Sequence, residues 1–146
     1  MATRSTIAIE YLDGTVRQVY CHWDGYLENN GKILEKHFSN PSKLNQIMNL
    51  GDLSVLGSNI GTKHNFDLEM HDMCKFYGRD RGEENIEAKK FTNFEDYKAN
   101  ARFEEFNYIL RFVNGNSVWF VSHYDSGNKF ESLTNAFERT SVESLK

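Results

Sequence analysis

The sequence predicts a single α+β domain, in which an antiparallel sheet built from two β-hairpins is covered by packed helices. Asp13-Gly14 and Asn114-Gly115 each stand between runs of β-forming residues, a pattern typical of tight hairpins. Outside the hairpins, apolar residues recur at helical spacing. At 146 residues the chain has room for one core. We place the domain at residues 1–138 and predict a frayed C-terminal tail over 139–146.

The first hairpin is predicted to pair residues 6–12 with residues 15–23 through a two-residue turn at Asp13-Gly14. In the register that this turn sets, Glu10 lies opposite Arg17. Opposite charges facing each other across two strands favour that register.

Capping residues predict where the first two helices begin and end. Asp24-Gly25 closes the second strand, and Asp24 is a candidate N-cap for a helix over residues 26–38. A second helix is predicted to begin at Pro41, with Asn40 as its N-cap, and to end at Gly51.

The second half of the chain repeats this alternation of strands and helices. Residues 64–76 alternate between apolar and polar side chains, which predicts a half-buried strand. Residues 84–104 are predicted to be helical, with Asn93 as a cap. The second hairpin then covers residues 107–124, and a short last helix is predicted over residues 130–137.

Composition excludes several classes of protein. Hydrophobic residues make up 39% of the chain and aromatic residues 14%, which is too apolar for a disordered segment. The net charge of −4 argues against a general nucleic-acid binder, because such proteins need a basic stripe. Two cysteines, no apolar N-terminal stretch and no 18-residue apolar run predict a soluble, reduced, cytoplasmic protein without a membrane segment. No P-loop, dinucleotide fingerprint or nucleophile elbow occurs, so no cofactor is expected.

The motif Tyr20-Cys21-His22-Trp23-Asp24-Gly25-Tyr26 concentrates the chemistry of the chain. A metal site is not expected, because Cys21 and His22 are neighbours on a strand, point to opposite faces and lack CxxC or HxxxH spacing. A Cys21 nucleophile with a distant histidine base is an alternative, although free cysteines are usually inert core residues.

Two interpretations of this motif remain open. In the structural one, Trp23 and Tyr26 are core rings at a strand–helix junction that Asp24 caps. In the functional one, rings stack a base while backbone N–H groups at the helix start face a phosphate. The functional interpretation makes Tyr20, His22, Trp23, Asp24 and Tyr26 candidate ligand-binding residues.

A second candidate is the loop Arg79-Asp80-Arg81, which stands between two glycines. Two arginines at this spacing can fork onto a phosphate or a carboxylate, so Arg79 and Arg81 join the candidate ligand-binding residues. The structural alternative is a solvated turn in which Asp80 neutralises its neighbours.

Four segments resemble those of a group of small proteins encoded by tailed bacteriophages and their prophages: residues 1–9, the Asp13-Gly14 turn, the motif at 20–26 and the motif at 77–83. The similarity covers most of residues 1–85. That family has no established activity, so the resemblance implies no catalytic residue. It implies expression in an infected bacterial cell, among accessory genes that commonly disarm or redirect the host.

Three functions follow from these observations. The first is a phage accessory protein that counters host defence by non-enzymatic binding, with a nucleotide second messenger held between the 20–26 motif and the arginine loop, across an interface between copies of the chain. The second is a direct inhibitor of a host protein. The third is a nucleotide-degrading enzyme that uses Cys21, His22, Asp24 or His123.

Overall fold

The computed structural model describes residues 2–69, 72–123 and 129–144, and eight strands within them form one sheet. The strands are β1 (Ser5–Glu10), β2 (Val16–Cys21), β3 (Leu53–Val55), β4 (Lys75–Phe76), β5 (Lys89–Phe91), β6 (Phe106–Val113), β7 (Asn116–His123) and β8 (Glu131–Ser132). The α-helices are α1 (Lys32–His37), α2 (Pro41–Leu50), α3 (Tyr77–Arg81), α4 (Phe94–Asn100) and α5 (Leu133–Ser144), and a π-helical turn at Leu27–Gly31 precedes α1.

The sheet is assembled on β1, which is buried over residues 5–9. β1 pairs with β2 in antiparallel order on one side and with β6 in parallel order on the other. β7 and β8 extend the sheet beyond β6, whereas β3 and β4 extend it beyond β2, and β5 also pairs with β2. Because β1 has a partner on each side, its backbone N–H and C=O groups are satisfied in the interior.

The α+β class and the single compact domain are confirmed, but the arrangement of the sheet differs from the prediction. The sheet is mixed rather than purely antiparallel, because β1 and β6 run parallel and β2 also meets β3 in parallel. Turn motifs specify only strands that are neighbours in sequence. Parallel contacts join residues far apart in the chain, and no local pattern encodes them.

The predicted register of the first hairpin is wrong by one residue. Glu10 pairs with Val16, and the connecting loop is longer than two residues. The N–H of Tyr11 donates to the Thr15 carbonyl at 2.8 Å, and Gly14 adopts a left-handed φ of 91°. This geometry is typical of a turn followed by a left-handed glycine, which needs an extra loop residue.

The shifted register gives the charged residues new partners. Arg17 does not face Glu10; its guanidinium donates to the Asn49 side chain at 3.0 Å and to the Met48 carbonyl at 3.2 Å. Glu10 instead accepts a hydrogen bond from Arg111 of β6 at 3.1 Å. The ion pair that we expected within one hairpin therefore joins the two hairpins.

Each face of the sheet carries a core. The larger core lies on the face covered by α1, α2 and α5; it contains among others Ile7, Ile9, Val19, Cys21, Leu34, Ile47, Tyr108, Leu110, Val121 and Leu133. The smaller core lies on the face covered by α4; it contains Ala8, Val16, Tyr97 and Ile109, with Phe91, Phe94, Phe103, Phe120 and Phe130 packed against them. Aromatic rings therefore contribute to both cores, and they make up most of the smaller one.

The predicted caps of α2 and α4 are confirmed. The Asn40 side chain accepts hydrogen bonds from the N–H groups of Ser42 and Lys43, and Gly51 follows the last residue of α2. The Asn93 side chain accepts from the N–H of Asp96 at 2.8 Å and caps α4. These caps depend on side chains next to the helix, so the local sequence is sufficient to find them.

The predicted strand over residues 64–76 is wrong, because only β4 at its end is a strand. Residues 70 and 71 of this segment lie outside the described residues. The even positions have unrelated surroundings: Phe66 stacks on Tyr77, Leu68 is exposed and Cys74 is buried. The alternation of apolar and polar residues in this segment therefore does not correspond to a β-strand.

The remaining elements depart from the prediction at their ends. α4 is shorter than the helix predicted over residues 84–104, since β5 occupies residues 89–91. α5 continues to Ser144, past the boundary that we placed at residue 138, and that boundary remains a prediction. Residue 124 of the second hairpin and residues 145–146 of the tail lie outside the described residues. No helix in the described ranges is long and apolar enough to cross a membrane.

Gly25 permits a close approach between the end of the first hairpin and the N-terminal strand. Its N–H donates to the Thr3 carbonyl at 2.8 Å, and its carbonyl accepts from the Tyr108 hydroxyl at 2.6 Å. A Cβ atom at this position would lie 2.6 Å from the Cβ of Ser5. The residue after Asp24 must therefore lack a side chain.

We expect Gly25→Ala to lower the free energy of unfolding by about 1–3 kcal/mol, because the added methyl group overpacks a buried contact. The measurement is urea unfolding followed by circular dichroism. Ser5→Gly removes the crowded Cβ, so the double variant should recover part of the loss. Strict additivity of the two substitutions would contradict this explanation.

Candidate functional site

Three of the predicted residues and one arginine form a continuous surface, which we call the aromatic row: Tyr20, His22, Trp23 and Arg102. The Tyr20 hydroxyl and His22 Nδ1 share a hydrogen bond of 2.7 Å. The His22 and Trp23 rings meet edge to face with centroids 4.9 Å apart. At the other end, the Arg102 guanidinium lies 5.1 Å from the centre of the Tyr20 ring. Each member therefore contacts the next.

Strand alternation places Tyr20 and His22 on the face opposite the larger core, and Trp23 follows just after the end of β2. Cys21 packs in that core, so Tyr20 and His22 on either side of it point the other way. The N–H groups of His22 and Trp23 donate to the carbonyls of Leu53 and Ser54 at 3.1 and 3.0 Å. The row thus lies on backbone that β3 holds in place, while the Trp23 side chain remains 42% exposed.

Asp24 is not the N-cap that we predicted. It has a left-handed φ of 57°, and no side chain caps the π-helical turn. The Asp24 carbonyl, rather than its carboxylate, accepts from the N–H of Asn30 at 3.3 Å and from the Asn29 side chain at 3.1 Å. The N–H of Asn29 donates to the Tyr26 carbonyl. The N–H groups of Asn29 and Asn30 are therefore bonded within the protein.

The two arginines of the second motif separate instead of forming a fork. α3 turns the Arg79 side chain inward, where Nη1 donates to the Ile60 carbonyl at 2.9 Å and Nη2 to the Cys74 carbonyl at 3.1 Å. The Arg81 side chain is half exposed, lies 5.0 Å from the Tyr77 ring centre and pairs with Glu83. The structure therefore assigns Arg79 to the interior and leaves Arg81 at the surface.

Arg79 is the partner of a fully buried carboxylate. Arg79 Nε lies 3.0 Å from the Asp80 carboxylate, whose side chain is 0% exposed. Burial acts to raise the pKa of Asp80, but the Arg79 hydrogen bond and the N–H groups of Phe76 and His64 outweigh it and hold the pKa below its usual value. Asp80 thus neutralises Arg79, as the structural alternative expected, but the pair is buried and does not lie in a solvated turn.

Arg81 is the last residue of α3, and its guanidinium lies over the Tyr77 ring. In the described part of the chain, no hydrogen bond or ring contact joins Arg81 to the aromatic row. Tyr26 is an exposed ring at the start of the π-helical turn.

Both thiols are unsuited to nucleophilic chemistry. Cys21 and Cys74 are completely buried, and burial raises the pKa of Cys21 to about 12 and that of Cys74 to about 11. The reactive thiolate is therefore not populated near neutral pH. Among the described residues, no three His, Cys, Asp or Glu side chains converge as a metal site would require.

A small cavity of about 70 Å³ adjoins the row at Tyr20, and three charged residues that we did not predict line it: Asp52, Lys89 and Arg102. The Asp52 carboxylate accepts the Tyr20 N–H at 2.9 Å, and burial raises its pKa. The Arg102 carbonyl accepts a hydrogen bond from Gln18 of β2. These residues come from distant segments and belong to no local motif, so no feature of the sequence could have indicated them.

No protein-family model, curated protein or solved structure matches the chain. Functional inference therefore depends on the geometry of the site.

We expect Arg79→Ala to lower the free energy of unfolding by about 3 kcal/mol, because it leaves the Asp80 carboxylate buried without its cation. The matched control is Arg81→Ala, whose exposed ion pair should contribute less than about 1 kcal/mol. Chemical denaturation of both variants measures the difference. Equal losses, or the larger loss for Arg81→Ala, would show that Arg79 is not a structural residue.

The buried thiols also predict a loss of stability at alkaline pH. Unfolded cysteine ionises near pH 9.0, whereas burial raises the folded pKa of Cys21 to about 12. The unfolded state therefore releases a proton first, and stability falls as pH rises above about 9. Each thiol contributes a slope of about 1.4 kcal/mol per pH unit in this window.

The measurement is urea unfolding between pH 8 and pH 10 for the original chain and for Cys21→Ala. The variant should show the shallower slope, which separates the thiol from tyrosine and lysine ionisation. Rapid labelling of Cys21 by an aromatic disulfide in the folded protein at pH 8 would contradict the assignment.

Proposed function

We propose that this protein acts by binding rather than by catalysis, and that the aromatic row takes an anionic ligand with a flat ring, such as a nucleotide. The observation that carries the proposal is the unbroken contact from the Arg102 guanidinium through Tyr20 and His22 to the exposed Trp23 ring. Aromatic faces next to cations are the features that hold a base and its phosphate on a protein surface.

Cations and carboxylates both surround the row. Burial raises the pKa of the Tyr20 hydroxyl; the positive charges of Arg4 and Arg102 act to lower it, and Glu104 adds to the rise. Lys89 lines the adjoining cavity together with Asp52. Arg102 pairs with Glu104 at 2.7 Å, so an anionic ligand would share this exposed guanidinium with a carboxylate.

The small size of the cavity limits how a ligand would be bound. About 70 Å³ is well below the roughly 300–1,000 Å³ of pockets that enclose small molecules. A base would therefore stack across Trp23 at the surface, with its phosphate near Arg102. A second copy of the chain could cover the other face of the base, which is consistent with our expectation of a homo-oligomer.

The biological context of this proposal comes from the resemblance to phage and prophage proteins. In that context the protein is an accessory factor in the cytoplasm of an infected bacterium, and it counters host defence by sequestering a nucleotide second messenger. The buried, protonated thiols favour sequestration over a Cys21-dependent reaction.

The test is titration calorimetry with cyclic dinucleotides and cyclic ADP-ribose isomers. We expect one of them to bind, and Trp23→Ala and Arg102→Ala each to weaken it, with a loss of about 1–3 kcal/mol for the stacked ring. Leu12→Ala and Lys36→Ala are matched controls, since they remove an exposed apolar group and an exposed cation elsewhere.

Absence of heat with every nucleotide would contradict the proposal, as would equal binding by the Trp23 and Arg102 variants. The ligand should be recovered intact after the protein is denatured. Recovery of a cleaved product would favour the enzyme alternative instead.

A second candidate, inhibition of a host protein, is favoured by the exposure of two large rings. Trp23 is 42% and Tyr26 39% exposed, and they are three residues apart. Tryptophan, tyrosine and arginine dominate the energetics of protein interfaces. A host protein that is retained from bacterial lysate by the original chain, and not by Trp23→Ala, would support this candidate.

A further inference from the structure

A larger cavity lies on the same side of the sheet as α4, away from the residues of the aromatic row. Its volume is about 510 Å³, within the range of pockets that hold small molecules. Three aromatic and three cationic side chains line it: Phe94, Phe120, Phe130, Lys98, Arg111 and Lys129. None of these described lining residues is acidic.

Arg111 is fixed in place at the cavity wall. Its Nε and Nη2 donate to the two carboxylate oxygens of Glu10 at 3.1 and 3.3 Å. Its guanidinium carbon lies 3.6 Å from the centre of the Phe94 ring. A two-point ion pair and a stacked ring together hold the guanidinium plane in one orientation.

Part of this fixed guanidinium remains available for a ligand. Glu10 engages Nε and Nη2, and Arg111 Nη1 makes no hydrogen bond with any residue in the described part of the chain. The Arg111 side chain is 31% exposed, so solvent reaches it. A pre-oriented donor loses little conformational entropy when an anion binds it.

The rings provide an apolar surface beside this donor. Phe94 and Phe130 lie 5.8 Å apart, and both are partly exposed against the smaller core. The Lys98 ammonium group lies 4.9 Å from the Phe94 ring centre and also pairs with Glu95 of the same helix at 3.1 Å. A ligand with one flat ring and one anionic group would match both the rings and the guanidinium.

We propose that this cavity binds a small aromatic anion, a single ring that carries a phosphate or carboxylate. The ring would pack against the phenyl groups of Phe94, Phe120 and Phe130. The anion would accept a hydrogen bond from Arg111 Nη1, and the positive charges of Lys98 and Lys129 line the same cavity. The site shares no residue with the aromatic row and does not depend on the function proposed for it.

Titration calorimetry with phenyl phosphate tests this inference, and inorganic phosphate and phenol serve as half-ligands. We expect phenyl phosphate to bind at least tenfold more tightly than either, because only it satisfies the rings and the cations together. Adenosine monophosphate is titrated as well. If it binds more tightly than phenyl phosphate, the natural ligand is a nucleoside monophosphate; if it binds more weakly, the natural ligand is a smaller aryl anion.

Lys98→Ala and Arg111→Gln should each weaken phenyl phosphate binding at least fivefold, whereas Lys36→Ala, which removes an exposed cation from α1, should leave it unchanged. Because Arg111 also anchors Glu10, Lys98→Ala keeps the test valid if the arginine variant does not fold. Equal binding of phosphate and phenyl phosphate, or no heat with any probe, would overturn the inference. It would also be overturned if Trp23→Ala, and not Lys98→Ala, abolished the heat with adenosine monophosphate.

Discussion

The parallel pairing of β1 with β6 is the constraint on which the rest of this structure depends. It places Ile7 and Ile9 beside Tyr108 and Leu110 in the larger core, and Ala8 beside Ile109 in the smaller one. Without that pairing, the sheet would divide into one part with β1 to β5 and another with β6 to β8, and neither core would be continuous across the sheet. One long-range contact therefore creates both cores at once.

The same pairing positions the aromatic row. Tyr108 of β6 donates its hydroxyl proton to the Gly25 carbonyl, and the Gly25 N–H is bonded to Thr3 just before β1. The backbone that follows Trp23 is thus tied to both central strands. The Trp23 indole also meets the His22 ring and so belongs to the row, and we therefore propose Trp23, rather than the similarly exposed Tyr26, as the ring that contacts a ligand.

Some features that depend on adjacent residues could be predicted from the sequence, whereas those that depend on distant residues could not. The Asn40 and Asn93 caps, and the opposite directions of Cys21 and His22, follow from local geometry. The hairpin register failed because Gly14 adds a loop residue, and the Glu10 ion pair went to Arg111. The arginine motif failed because α3 turns Arg79 toward buried Asp80. Arg102 and Arg111, which complete the two candidate sites, are brought there only by the fold.

The central claim is that Trp23 is the ring that contacts the ligand, and the two tryptophans of the chain allow a direct test. Trp119 is buried in the larger core, whereas Trp23 is exposed in the aromatic row. Nuclear magnetic resonance resolves the indole N–H signal of each during titration with the nucleotide panel. The account predicts that one nucleotide shifts the Trp23 signal and leaves the Trp119 signal in place. A nucleotide that binds without moving the Trp23 signal, or a panel in which none moves it, would contradict the account.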